Sequence, residues 1–261
     1  MALIEFDVII PAGGTISKDF AKVVNTEKKA LIAMVSNTLL GNTIECLRAM
    51  PGTRRIVVIG NEMVRRATHS VDQVLPEAET GPKNIFNGLR WLSQQNEPAE
   101  KVLIVTCDLP FLTVDALGRF LALCPNDKDF CVPLIAHDDF AEAFPSAEAT
   151  FVKMKDGVFT TGCAYLATPK AVFAAAPQIE RVFENRKSKI GMARMLGPKF
   201  LLGYLTKSLT VASVEQKVEQ ILGCKAVAVP GSPAELAYDI DYIEDYHYAL
   251  QTLKLKASAS A

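Results

Sequence analysis

Along the first half of the chain short apolar runs alternate with longer amphipathic stretches, the pattern of repeated strand, helix, strand units on a mostly parallel sheet. The runs at Phe6 to Ile10, Arg55 to Ile59, Val71 to Leu75 and Lys101 to Thr106 predict strands. Between them Leu39 to Met50, Glu62 to Thr68, Asn84 to Gln95 and Val114 to Leu123 carry helical spacing. Beyond Asp129 the rhythm changes. Phe130 to Ile135 is strand-like and His137 to Glu148 is polar and loop-like. Thr150 to Lys155 and Val158 to Ala167 read as two strands meeting at Asp156-Gly157, a strong hairpin signal. Helical patterns follow at Pro169 to Phe183, Lys187 to Leu196 and Val211 to Leu222, then a strand at Lys225 to Val229 and a last helix from Ile243 to Leu253. The expectation is one α/β domain over residues 1–253, with a nucleotide-type half to 128, a more irregular half over 129–253, and a flexible tail at 254–261.

A chain of 261 residues can bury roughly three quarters of its unfolded surface, so a sizeable core is available. Hydrophobic residues at 49% and charged residues at 22% exclude disorder, a coiled coil and a disulfide miniprotein. With 28 Lys and Arg against 29 Asp and Glu there is no general pull toward nucleic acid or anionic lipid, although a local basic cluster could still hold a phosphorylated small molecule. The six cysteines form no zinc or redox motif and read as reduced. Neither a signal peptide nor a membrane span is legible, which leaves a cytoplasmic enzyme or binding protein as the expectation.

Three places carry candidate chemistry. The first strand runs into Pro11-Ala12-Gly13-Gly14, followed by Lys18 and later Lys28-Lys29. Adjacent glycines let backbone N–H groups approach an anion, and a lysine in the loop supplies charge; the same pair also suits an ordinary tight turn. Asp108 follows an apolar strand and precedes Leu109-Pro110, the position where ligands bind in open α/β sheets, which makes it the best single metal candidate. Asp239-Ile240-Asp241 forms a second acidic station, and alternation in an extended segment points Asp239 and Asp241 the same way. One carboxylate from each station, with phosphate oxygens and water, suits Mg²⁺. Asp241 could equally N-cap the last helix.

Two further segments are weaker. Gly81 permits close backbone approach and Asn84 could bond a planar ring edge, or simply cap the helix that follows, while Gly88 allows tight packing on the sheet. The basic residues Arg181, Arg186, Lys187, Lys189 and Arg194 could receive an acceptor phosphate or form a solvated helix face. The three histidines fit no ligand spacing, and no nucleophile elbow is present, so hydrolysis through a covalent intermediate has little support.

Taken in order, Ala12-Gly13-Gly14, Lys18, Lys29-Ala30-Leu31, Gly81-Pro82, Asn87-Gly88-Leu89, Cys107-Asp108-Leu109-Pro110 and Asp239 to Asp245 resemble the MobA-like nucleotidyltransferases. The resemblance spans nearly the whole chain. It implies a Rossmann-like three-layer α/β/α fold of the glycosyltransferase-A-like kind, with a mixed, mostly parallel sheet. Pro11, Ala12, Gly13, Gly14, Lys29, Gly81, Asn84 and Asp108 would then bind the nucleotide, and Lys18 and Lys29 would touch the triphosphate. Asp108, Asp241 and Asp239 would hold Mg²⁺, or Mn²⁺ in its place. Thr150 to Lys153 and Phe159 to Gly162 look like an acceptor-side element, so Lys153, Thr161, Gly162, Arg186 and Lys189 would face the acceptor in the second half. Lys18 stands where the family has arginine, which keeps the charge but gives up bidentate geometry.

The implied reaction is transfer of a nucleoside monophosphate from a nucleoside triphosphate to a phosphorylated small-molecule acceptor, with release of pyrophosphate. A glycosyltransferase using a nucleotide sugar and a nucleotide-binding protein without catalysis are the alternatives. No nucleic-acid partner is implied, and a homodimer is compatible with the reading.

Overall fold

The computed structural model describes residues 4–185, 188, 191 and 195–259. Four parallel strands form the first half of the sheet: β1 (Phe6–Pro11) lies between β2 (Thr53–Ile59) and β4 (Lys101–Val105), and β3 (Gln73–Leu75) flanks β2. Side chains alternate across β1, and both faces are covered. Val8 and Ile10 pack with Leu40, Ile44 and Leu47 of α2 (Leu39–Ala49) and with Leu117 and Phe120 of α5 (Val114–Leu123). Ile9 faces Phe86, Leu89 and Leu92 of α4 (Gly81–Ser93) on the opposite side. A strand apolar on both faces and helices apolar on one stripe can only settle as three layers, as the sequence pattern predicts.

The second half extends the same sheet with reversed strands. The order is β3-β2-β1-β4-β8-β5-β7-β6, where β5 is Phe130–Ala136, β6 Val152–Met154, β7 Gly157–Thr161 and β8 Ala164–Ala167. β8 runs antiparallel to β4 and β5, and β9 (Ala226–Pro230) pairs in parallel with β5. The sheet is therefore mixed: the nucleotide-type half is all parallel, and the second half combines antiparallel pairs with the parallel β5–β9 pair. Asp156-Gly157 makes the expected hairpin turn, and Gly157 has φ +152°.

Several expectations shift. His137–Ala143 is a helix, α6, rather than loop, and its single buried residue Phe140 packs on Phe144, Phe151 and Tyr238. The segment after residue 157 splits into β7 and β8 at buried Gly162, where a Cβ would come 2.8 Å from the Leu236 carbonyl oxygen. Pro169 to Phe183 is two helices, α7 (Pro169–Ala174) and α8 (Ala176–Asn185). The stretch Lys187 to Leu196 lies largely outside the described residues. A helix α9 (Pro198–Leu205) precedes α10 (Val211–Leu222), which the sequence pattern places to the residue. The last helix, α11 (Ile243–Ala259), continues through most of the segment expected to be a flexible tail. Near the chain's start are α1 (Lys18–Val24) and α3 (Glu62–Ala67).

Candidate functional site

The loop after β1 folds back on itself. The Ala12 N–H donates to the Ile59 carbonyl at 2.7 Å, and the Lys29 N–H donates to the Gly14 carbonyl at 3.0 Å. This pairing sets Lys28 and Lys29 beside the glycine pair, while the amides of Gly13 and Gly14 have no bond partner among the described residues. Gly13 does not adopt positive φ, and a Cβ there would come 2.6 Å from Glu77 Oε2, so a side chain at this position would displace the Glu77 carboxylate. Buried Lys28 links the two, its Nζ donating to the Gly13 carbonyl at 3.3 Å and to Glu77 Oε1 at 3.2 Å. Lys18 stands exposed on the first turn of α1, which Ser17 caps through a 3.2 Å bond from the Phe20 N–H.

The two acidic stations converge. Asp108 lies just past the end of β4, and its carbonyl accepts the Ile240 N–H at 3.1 Å, so one backbone bond ties the stations together. Tyr238 and Ile240 are buried on either side of Asp239, which leaves Asp239 and Asp241 on the opposite side, as alternation predicts. Tyr238 is fixed by rings of Phe111 and Phe144 at 4.9 and 5.0 Å, and its hydroxyl donates to the Asp245 carbonyl at 2.9 Å. One carboxylate oxygen from each of Asp108, Asp239 and Asp241 lies within 4.8 Å of the others. Asp241 does not cap α11. Asp245 accepts the N–H groups of Asp241 and Tyr242 at 3.0 and 2.7 Å instead.

Lys29 enters this cluster. Its Nζ donates to Asp108 Oδ2 at 2.9 Å and also to Asp241. Burial opposes the charge on Lys29, but the Asp108 and Asp241 carboxylates outweigh it and hold the ammonium above its ordinary range. One ammonium does not balance three carboxylates. Burial, and then the charges of Asp108 and Asp241, push Asp239 up to about 6. Asp108 Oδ1 is buried with no hydrogen-bond partner among the described residues. An all-oxygen donor set with excess negative charge and an orphaned carboxylate oxygen fits a hard divalent cation.

That raised value carries a stability prediction. The folded state holds the Asp239 proton up to about pH 6 whereas the unfolded chain releases it near the ordinary 3.8, so the wild-type fold bears a penalty that is absent below pH 4 and complete above pH 6. In the metal-free protein Asp239→Asn is expected to raise stability at pH 8 by about 1–2 kcal/mol, after discounting for solvent screening, and to change it little at pH 4. Urea midpoints at the two pH values check this; equal shifts at both would contradict the assignment.

A cavity of about 760 Å³ opens beside Asp239 and Asp241, lined by Glu148, Thr150, Thr160, Thr161, Tyr242 and Tyr248 among others. Thr161 is one of the residues that line it. Lys153 is exposed on β6 and does not line the cavity, and Gly162 is a packing residue whose N–H donates to the Pro133 carbonyl at 3.0 Å. Arg186 and Lys189 lie outside the described residues. Asn84 sits inside α4 rather than capping it. Thr80 is the cap, and Asn84 Oδ1 accepts the Ala78 N–H at 2.5 Å, which shapes the loop after β3. Gly81 backs onto the Phe183 ring of α8, and Gly88 lets α4 approach Ile9, which a Cβ would meet at 3.0 Å. Sequence reasoning missed Glu77. The only signal is its place past the carboxyl end of a parallel strand, which it shares with Glu79.

An α/β sheet with a glycine-pair loop, a lysine and converging carboxylates at the carboxyl ends of its parallel strands defines the class. The chain belongs to the MobA-like NTP transferase family, whose domain model matches residues 8–182. The matched stretch contains the glycine loop, Lys29 and Asp108, whereas Asp239 and Asp241 lie beyond it. Among curated proteins it is similar to the molybdenum cofactor guanylyltransferase of Shewanella halifaxensis (strain HAW-EB4), 26% identical over 129 residues, which cover 49% of this chain and 60% of that protein. The corresponding protein of Shewanella sp. (strain MR-4) is 27% identical over 130 residues, covering 49% and 62%. The chain therefore spans about 60% of the length of these relatives. A structure described as a hypothetical transferase from Thermus thermophilus superposes with a TM-score of 0.82 at 26% identity, over 93% of this chain and 99% of that one. The 4-diphosphocytidyl-2C-methyl-D-erythritol synthase of Anaerococcus prevotii DSM 20548 shares the fold, with a TM-score of 0.59 at 13% identity over 96% of each chain. Among the described residues no helix is long and apolar enough to cross a membrane.

Proposed function

We propose that this protein is a Mg²⁺-dependent nucleotidyltransferase, moving a nucleoside monophosphate from a nucleoside triphosphate onto a phosphorylated small-molecule acceptor. The observation that carries the reading is the convergence of Asp108, Asp239 and Asp241 on Lys29 beside the free Gly13 and Gly14 amides. An oxygen of the acceptor phosphate forms a bond to the α-phosphorus while the bond from that phosphorus to the bridging oxygen breaks, and the electron pair leaves with pyrophosphate. No covalent intermediate with the protein is needed.

The residues act by holding charge. The Gly13 and Gly14 amides and the Lys29 ammonium are placed to offset the charge that builds on the leaving pyrophosphate. Lys28, locked to Glu77, fixes the shape of the glycine loop instead. Asp108, with Asp241 and Asp239, would hold the divalent cation, which when bound supplies further neutralisation of phosphate oxygens. The cavity beside Asp239 receives the acceptor, with Thr160 and Thr161 as hydrogen-bonding groups.

The curated relatives are named guanylyltransferases, so GTP is the first donor to test. The protein is incubated with each triphosphate, Mg²⁺ and a panel of sugar, alditol and cofactor phosphates, and pyrophosphate is measured. Release that depends on both donor and acceptor supports the proposal. Tight nucleotide binding with no pyrophosphate from any pair would overturn it.

A further inference from the structure

The cavity beside Asp239 and Asp241 carries more negative charge than phosphate transfer uses. Asp108, Asp239 and Asp241 are matched by the Lys29 ammonium and one divalent cation, three charges against three. Three further carboxylates, those of Glu148, Glu244 and Asp245, line the same cavity, and the described lining residues include no Lys, Arg or His. None of these three has an ion-pair partner among the described residues. Glu148 is exposed between α6 and β6, and Glu244 is exposed on the first turn of α11.

The first turn of a helix usually draws an anion, because its amides are free. Here that turn is closed to one. Asp245 Oδ2 accepts the N–H groups of Asp241 and Tyr242, and Glu244 adds a second negative charge beside it. The helix dipole accounts for the sign of these two residues but not for Glu148, which comes from a different segment. Aromatic surface completes the lining. Tyr242 is 70% exposed, and Tyr248 stacks on Tyr238 with ring centroids 5.6 Å apart. Carboxylates together with tyrosine rings are the chemistry that holds an organic ammonium group, the carboxylates by charge and the rings by their negative faces.

We propose that the acceptor is an ammonium-bearing alcohol phosphate, with its phosphate at the cation beside Asp239 and Asp241 and its ammonium group among Glu148, Glu244 and Tyr242. The inference rests on the nucleotidyltransferase reading and narrows its acceptor. A cavity of about 760 Å³ admits a small molecule of that kind. A sugar or alditol phosphate could hydrogen-bond the threonines but would leave the three carboxylates uncompensated. An acceptor with a carboxylate at its far end would be repelled by them. The ammonium group keeps its charge throughout and orients the acceptor, whose phosphate oxygen forms the bond to the α-phosphorus as pyrophosphate leaves.

The pyrophosphate assay is extended with ethanolamine phosphate and choline phosphate, run beside glycerol phosphate, whose tail is uncharged. The ammonium acceptors are expected to exceed glycerol phosphate in kcat/KM by about tenfold or more, an advantage that shrinks as salt is raised. In the double variant Glu148→Gln, Glu244→Gln that preference should fall by roughly fivefold to tenfold, whereas Glu148→Asp, Glu244→Asp should keep most of it. Tyr242→Ala should lower it by about threefold. Equal or greater turnover with glycerol phosphate, or a preference that the glutamine variant leaves intact, would overturn the proposal and leave the transferase reading standing. If no acceptor releases pyrophosphate, calorimetry with Mg²⁺ and a non-hydrolysable triphosphate separates the two. Choline phosphate bound about tenfold more tightly than glycerol phosphate would then support the ammonium site although the transferase reading falls. Equal binding would overturn both.

Discussion

Asp108→Asn is expected to lower the rate of pyrophosphate release by about 10³-fold, with a much smaller effect on nucleotide affinity measured without divalent cation. Asp108 is the one carboxylate of the cluster set directly at the end of a sheet strand, and its two oxygens have different fates. Oδ2 takes Lys29 at 2.9 Å and Oδ1 is buried without a partner. The amide keeps the shape and can still accept from Lys29, but it removes the charge a divalent cation would use and turns one of two acceptors into a donor. The Asn variant should therefore stay folded, and its melting temperature should lose most of the rise that Mg²⁺ with a triphosphate gives the wild type. Steady-state turnover beside thermal shift separates the cases. Undiminished turnover would remove Asp108 from the chemistry, whereas a collapse of the fold would show that the carboxylate is structural.

The parts of this arrangement legible in the sequence are those set by local period. Val8, Ile9 and Ile10 declare a strand covered on both faces, and Tyr238, Asp239, Ile240 and Asp241 declare which way the two carboxylates point. The start of α4 is set by Thr80 as cap with Pro82 in the first turn, whereas the sequence reading begins the helix three residues later at Asn84, itself a good cap residue. What could not be read depends on contacts distant along the chain. Helix α6 has a single apolar anchor, Phe140, so its sequence shows no helical stripe; the aromatic cluster with Phe144 and Tyr238 holds it. The Lys28–Glu77 pair joins loops from two different strands, and no spacing rule selects Glu77 over Glu79. Lys29 was legible as a basic residue near phosphate, but its place between Asp108 and Asp241 follows only from the fold.

That place makes Lys29→Met the more informative of the charge deletions. In the absence of divalent cation the variant leaves three carboxylates within 4.8 Å of one another and no counter-charge from Lys29. Removing one partner of a largely buried pair costs about 3 kcal/mol, which for a chain of this size lowers the melting temperature by roughly 5–10 °C at pH 8. The loss should shrink toward pH 5, because Asp239 already takes a proton near pH 6 and protonation relieves the repulsion. Mg²⁺ is expected to restore much of the stability, since any cation that the carboxylates hold replaces the missing charge. Turnover should not follow. The ammonium that offsets charge on the leaving pyrophosphate is absent whether or not the fold is repaired, so the rate should remain about 10²–10³-fold down in saturating Mg²⁺. Melting curves and pyrophosphate release, each measured across a Mg²⁺ titration, read the two roles separately. Recovery of both together would mean that Lys29 does no more than supply counter-charge to the carboxylates, and the leaving group would then be stabilised by the Gly13 and Gly14 amides and the bound cation alone.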